Sequence, residues 1–197
     1  FEKAMETLVG SYPQDSEAAI FYAMALNGSA DLTDKTYAQP LRAAKILEAA
    51  FAAQPNHPGV AHYIIHSYDV PSLAIHALPA AKQYAGIAPA APHALHMPSH
   101  TFTRLGYWQE SIDTNLRSAD AALAAGSPAE ALHALDYMVY AYLQTAQDAA
   151  ALTELARAVE VFAQVTASDP YLVAGAFAAA AVPTRYALER GDWIAAT

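Results

Sequence analysis

Two pairs of histidines, each four residues apart, are the residues in this sequence best suited to chemistry. The segment PHALHMPSHTFTRLGYWQES contains His93, His96 and His100, and the segment HPGVAHYIIHSYD contains His62 and His66. Residues three or four apart share one face of a helix, so each segment would present its imidazoles together. Neutral imidazole is a common ligand of transition metals. The segments therefore indicate a metal site, a polar groove for an organic ligand or peptide, or a structural hydrogen-bond network.

The elements that position these histidines are predicted to be helices. More than half of the residues are apolar, alanine dominates, and no segment alternates polar and apolar residues with a period of two. Glycine and proline clusters mark the breaks. The predicted helices are 1–9, 17–26, 41–53, 59–68, 73–87, 93–105, 107–125, 129–145, 149–166 and one ending at Arg190.

The local structural roles of three residues at or near these breaks can be predicted from their types. Asp15 is predicted to cap the helix that follows it. His57, in Asn56–His57–Pro58, is predicted to form a turn and not to bind a ligand. Pro98 lies between His96 and His100 and lacks a backbone N–H, so it should kink the helix that carries them.

Helix pairs recur along the chain. A spacing of 4, 3 and 5 residues links Ala43, Leu47, Ala50 and Pro55, and the same spacing links Ala80, Tyr84, Ile87 and Pro92. Looser starts at Ser111, Ala151 and Ala196 place successive units 31 to 45 residues apart. This pattern resembles the tetratricopeptide repeat, whose period is about 34 residues. RLGYWQESI and ERGDWIAA resemble the inter-helix turn of that family.

The two histidine segments and ALDYMVYAYLQ also resemble a bacterial group of tetratricopeptide-like proteins. The resemblance implies an all-α fold, a right-handed superhelical stack of helix-turn-helix repeats that covers residues 1–197 as one region. The chain begins without methionine, so we expect it to be part of a longer protein.

In the tetratricopeptide family, the second, fifth and ninth positions of the first helix of each repeat line a concave groove. Carried over to this sequence, the fifth and ninth positions are His62 and His66 in one repeat and His96 and His100 in the next. His93 takes a second position. In the third repeat, the three positions are His133, Asp136 and Tyr140. Arg104 lies where peptide-binding members often place a cation.

With these positions facing one groove and packed helices about 8–10 Å apart, we expect His62, His66, His96 and His100 to converge on one divalent transition-metal ion. Asp136 is the expected fifth ligand, and the groove residues His93, His133, Tyr140 and Arg104 are expected around it. Zinc, copper and iron all accept imidazole, so the ligand set does not distinguish among them. The residues also leave open whether a reaction takes place there. The alternative is a scaffold whose groove binds a protein or peptide partner, without metal or catalysis.

Composition excludes several other classes. With ten Lys and Arg against nineteen Asp and Glu, the formal charge of −9 disfavours binding to nucleic acid or anionic lipid. No apolar run is long enough for a transmembrane helix. The absence of cysteine excludes disulfides and thiolate metal ligands, and it leaves the cellular compartment open.

Overall fold

The computed structural model describes residues 1–194. Over these residues the chain forms α-helices and one 3₁₀ helix, with no β-strand, so the predicted all-α class is confirmed. The chain divides into two compact units, unit 1 from Phe1 to Ile87 and unit 2 from Ala88 onward. Within each unit, helices that follow one another in the sequence pack together. The right-handed superhelical stack stays a prediction, and the repeat start at Ala196 lies outside the described residues.

Unit 1 contains five α-helices among its described residues. They are α1 (Glu2–Ser11), α2 (Ser16–Gly28), α3 (Ala38–Ala53), α4 (Pro58–Ser67) and α5 (Leu78–Ile87), and a 3₁₀ helix at Ala74–Ala77 precedes α5. Leu26, Leu47, Val60 and Ile65 are among its fully buried side chains. Their removal from water supplies the main drive for packing these amphipathic helices.

Two predicted helix starts are confirmed in unit 1. The Asp15 carboxylate caps α2 by accepting hydrogen bonds from the N–H groups of Glu17 and Ala18, at 2.9 and 3.1 Å. His57 is the N-cap of α4, and its Nδ1 accepts a hydrogen bond from the Val60 N–H at 3.2 Å. His57 therefore has the predicted turn-forming role, because it satisfies an N–H that the first turn of a helix leaves unpaired.

Several predicted boundaries are wrong. Helix α3 begins at Ala38 instead of residue 41, and two other boundaries have a clear physical cause. The helix expected over residues 73–87 begins as the 3₁₀ helix, because Pro79 has no N–H to donate to the carbonyl four residues back. The helix expected over 149–166 ends at Phe162. Beyond it, the N–H groups of Gln164 and Val165 bond to carbonyls three residues back, which forms a turn and not a continued α-helix.

Unit 2 is organised around one long buried helix. Its helices are α6 (Pro92–His96), α7 (Pro98–Leu105), α8 (Trp108–Ala124), α9 (Pro128–Gln144), α10 (Asp148–Phe162) and α11 (Leu172–Glu189). Helix α9 packs against each of the other five. Its Leu132, Leu135, Met138 and Val139 are fully buried. A residue on α9 therefore has a position fixed by neighbours on several sides.

Candidate metal centre

The centre in unit 2 is carried by the interrupted helix α6–α7 and by α9. Helix α6 ends at His96 and α7 begins at Pro98, so the interruption predicted at Pro98 is confirmed. Across it, the His100 N–H donates to the Met97 carbonyl three residues back, at 3.2 Å, which tightens the turn locally. His96 and His100 thus stand on the two sides of the interruption, and α6 and α7 both contact α9.

Three imidazoles meet at this point. The Nε2 atoms of His96 and His100 are 3.1 Å apart. The ring of His133, from α9, lies 4.4 Å from the ring of His96 and 6.4 Å from that of His100, measured between centroids. One ring nitrogen from each residue lies within 4.8 Å of the other two. We call these three residues the histidine triad.

The spacing of the triad is close to that of ligands around one ion. Nitrogens bound at about 2.0–2.1 Å in a tetrahedral site lie about 3.4 Å apart. The distance between the two Nε2 atoms of His96 and His100 already matches this separation. His133 needs to approach by at most about 1.4 Å, the difference between the upper limit of 4.8 Å and that ideal.

Asn115 of α8 fixes the tautomer of His96. Its side-chain Nδ2 donates to the Ser111 carbonyl at 2.8 Å, which orients the amide so that Oδ1 faces His96. The His96 Nδ1 lies 2.7 Å from that oxygen and must carry the proton, because an amide oxygen only accepts. The Nε2 atom of His96 is then the lone-pair atom, and it points into the triad.

Tyr137 of α9 holds the ring of His100 in place, although a hydroxyl both donates and accepts and so does not fix the tautomer of His100. Its hydroxyl lies 3.2 Å from the His100 Nδ1, and its ring lies 4.9 Å from the imidazole. A hydrogen bond on one ring nitrogen holds the imidazole so that the other nitrogen is presented to a ligand. Both Nε2 atoms of the His96–His100 pair are therefore directed by a hydrogen bond on the opposite side of the ring.

Burial keeps two of the triad's imidazoles neutral. His96 is 1% exposed, and its pKa is held well below the usual value, first by loss of hydration and then by repulsion from His100 and His133. The pKa of His133 is lowered for the same reasons, burial first, although the charge of Asp136 opposes the shift. Only the neutral imidazole binds a metal, so this environment prepares both residues as ligands.

Asp136 is close to the triad in sequence, but its carboxylate is already engaged. The residue is 2% exposed, and its two oxygens accept hydrogen bonds from Nε and Nη2 of Arg185, on α11, at 2.7 and 3.3 Å. A carboxylate held in this bidentate way would have to release the guanidinium before it bound an ion. Its role as a fifth ligand stays a prediction.

A cavity of about 360 Å³ opens beside the triad in unit 2. Its lining includes two members of the triad, two cations and three aromatic side chains: His100, His133, Arg104, Arg185, Tyr137, Tyr140 and Phe177 line it together with Thr103 and Asp136. Five of the residues implied by the family resemblance, His100, His133, Asp136, Tyr140 and Arg104, are therefore brought to one place. His93 lies on α6, with its ring 6.1 Å from that of His96.

The other predicted pair belongs to unit 1. On α4, the Nε2 atoms of His62 and His66 are 3.0 Å apart. The His62 ring is stacked against the rings of Tyr63 and Tyr84, with centroids at 5.1 and 5.8 Å. His76 lies in the same unit against Tyr68, at 5.3 Å between ring centroids. The sharing of one ion by this pair and the pair of unit 2 stays a prediction.

Sequence reasoning missed the residues that orient the triad. Asn115 belongs to the looser repeat unit that starts at Ser111, and its residue type is the signal that could have found it, because a buried amide among small residues needs partners. Tyr137 had no distinguishing signal within a tyrosine-rich helix. The Arg185–Asp136 ion pair joins residues 49 apart, and no local pattern indicates it.

No family model, no curated protein and no solved structure matches this chain. Within residues 1–194, none of the helices is both long enough and apolar enough to cross a membrane.

Proposed function

We propose that unit 2 binds one divalent transition-metal ion through His96, His100 and His133. The observation that carries the proposal is the convergence of three ring nitrogens within 4.8 Å around a fully buried His96. The hydrogen bonds that His96 and His100 make with Asn115 and Tyr137 support it, because metal-binding histidines are usually held in orientation by a hydrogen bond on the other ring nitrogen. The ligand set is imidazole only, which suits zinc, copper or iron.

Three protein ligands leave a coordination position open. Catalytic zinc sites keep such a position for water or substrate, whereas structural sites fill all four with protein ligands. An ion held by the triad would lower the pKa of a bound water or polarise a bound carbonyl. The adjoining cavity, lined by His100 and His133, gives a substrate room to reach that position. We therefore propose a Lewis-acid centre.

Thermal unfolding of the metal-stripped protein tests the proposal. Addition of Zn²⁺ at pH 7.5 should raise the melting temperature, because an ion that binds only the native state stabilises it by about 2.7 kcal/mol at 100 times its dissociation constant. His100→Ala should remove the rise, and His76→Ala, in unit 1 against Tyr68, should keep it. No rise with Zn²⁺, Cu²⁺, Fe²⁺ or Ni²⁺ would overturn the proposal.

The second candidate function is binding of a protein or peptide partner. Exposed apolar side chains on α11 favour it, since Val173 is 85% and Phe177 62% exposed. Such side chains next to a cavity are typical of interaction surfaces. Val173→Ser with Phe177→Ser should then weaken capture of the partner while metal retention is unchanged. Loss of metal retention in that double variant would show that the partner surface on α11 and the metal site are not independent.

A further inference from the structure

We propose that the cavity beside the histidine triad binds a small organic anion, an aromatic carboxylate, with its charged end directed to the ion and to Arg185. This inference rests on the proposed function and adds the class of ligand. It follows from the charges around the cavity, from the way Asp136 holds Arg185, and from the aromatic side chains that line the cavity.

The charge of the centre is the first reason. The three ligands of the triad are neutral imidazoles, and the nearby carboxylate of Asp136 is neutralised by Arg185. An ion held there keeps its charge of +2, in contrast to sites where carboxylate or thiolate ligands cancel it. A buried charge of this size is compensated by an anionic ligand at the open position.

Arg185 is the second reason, because it is fixed in place with donors to spare. Asp136 holds its Nε and Nη2, and the guanidinium lies 5.5 Å from the centre of the Tyr140 ring. Its Nη1 makes no hydrogen bond to the residues 1–194 that the structure describes. A guanidinium presents five N–H donors in a rigid fork, so the atoms not used by Asp136 suit a carboxylate.

The walls are the third reason. Tyr137, Tyr140 and Phe177 line a cavity of about 360 Å³, which is within the size range of small-molecule sites. Aromatic side chains pack best against a flat ring by stacking or edge contacts. An aromatic carboxylate can bind the ion and Arg185 through its oxygens and can pack its ring against the aromatic side chains. Acetate offers only the oxygens.

The test uses benzoate as the probe and cobalt as the reporter ion. Protein loaded with Co²⁺ has a visible absorption spectrum that changes when a ligand enters the coordination shell, so it can be titrated with benzoate and with the neutral isostere benzamide. Benzoate should bind at least about tenfold more tightly than benzamide, because only benzoate carries a negative charge that the ion attracts and two equivalent oxygens that suit the remaining donors of Arg185.

Two variants locate the binding. Arg185→Lys keeps a cation beside Asp136 but loses the fork, and it should weaken benzoate about tenfold. Phe177→Ala removes an exposed aromatic wall at little cost to folding, and it should weaken benzoate about threefold without affecting acetate. Arg157→Lys is the matched control, because Arg157 pairs with Asp120 and does not line the cavity.

The outcomes separate this inference from the function on which it rests. Protein that retains no cobalt overturns both. Protein that retains cobalt but binds benzamide as tightly as benzoate overturns the anion cavity alone. So does an Arg185→Lys variant that binds benzoate as tightly as the Arg157→Lys control.

Discussion

The histidine pairs of the two units have the same spacing in sequence and nearly the same distance in space. The Nε2 atoms are 3.0 Å apart for His62 and His66, and 3.1 Å apart for His96 and His100. The surroundings differ. His66 is exposed on the surface of unit 1, whereas His96 is fully buried in unit 2 and bound to the Asn115 amide.

The two pairs are therefore distinguished by their surroundings and not by their spacing. Residues four apart on any helix bring two imidazoles together. Burial lowers the pKa of His96 and His133. The hydrogen bonds with Asn115 and Tyr137 orient the rings of the other pair, His96 and His100, so that their Nε2 atoms face the triad. Unit 2 has both features around its triad, which is why the proposed metal site is the triad of unit 2.

Outside the three ligands themselves, the largest expected effect comes from the amide that orients His96. Asn115→Ala should weaken metal binding 10- to 100-fold, the usual cost of losing an oriented partner of a ligand histidine. Asn27→Ala is the matched control in unit 1, because Asn27 also hydrogen-bonds a buried side chain, Ser67, at 2.8 Å. Competition with a chelator at pH 7.5 measures both. Equal affinities in the two variants would show that Asn115 does not orient a ligand.

The metal-stripped protein should lose stability as the pH falls below about 6.5, the usual pKa of histidine in an unfolded chain. His96 and His133 have lowered pKa values in the native state, so the unfolded chain binds protons first. Each residue should reduce the free energy of unfolding by up to about 1.4 kcal/mol per pH unit.

Urea unfolding at pH 7.5, 6.5 and 5.5 measures this dependence. His96→Gln should reduce the slope by about half, since one of the two shifted groups is removed. An unfolding free energy that is constant or increases toward pH 5.5 would contradict burial of neutral imidazoles in the triad.

Gly175 of unit 2 tests how closely α11 packs against α9, and Gly86 of unit 1 is its control. A Cβ added at Gly175 on α11 would lie 2.7 Å from the Ala129 Cβ of α9, while one at Gly86 on α5 would meet nothing within 4 Å. Gly175→Ala should destabilise the protein by about 1–3 kcal/mol, because α11 must shift away from α9. Gly86→Ala should change little or stabilise by about 0.5 kcal/mol. Equal melting temperatures for the two variants would contradict close packing of α9 and α11.

The smallest expected effect belongs to the unit 1 pair. If the triad is sufficient, replacing both His62 and His66 by Ala should change metal affinity by less than about tenfold, or 1.4 kcal/mol. The same chelator competition measures this. Loss of the ion in the double variant would instead support the four-histidine site that the sequence predicts.

Local chemistry explains why much of the fold could be predicted. Asp15 and His57 mark helix starts through bonds to residues two or three positions away, and Pro98 interrupts a helix by lacking its own N–H. Signals of this kind are complete within a short segment. The 3₁₀ start before α5 does not follow from the apolar pattern of residues 73–87, because it depends on the missing N–H of Pro79.

The candidate site depends on contacts that no short segment contains. The positions of His96, His100 and His133 were all noted from the sequence, but their convergence needs α6 and α7 to pack on α9. The engagement of Asp136 by Arg185 links α9 to α11 across 49 residues. The sequence alone identifies the three histidines, and packing determines which side chains surround and orient them.

The metal content of three purified proteins tests the central claim most directly. Untagged wild type, His100→Ala/His133→Ala and His57→Ala/His76→Ala are loaded with Zn²⁺, passed over a desalting column and analysed by mass spectrometry for metal per chain. We predict about one ion per chain for wild type and for the second double variant, and almost none for the variant that breaks the triad, because one imidazole is too few to hold the ion. Equal zinc in the wild type and the triad variant would contradict the assignment of the ion to unit 2.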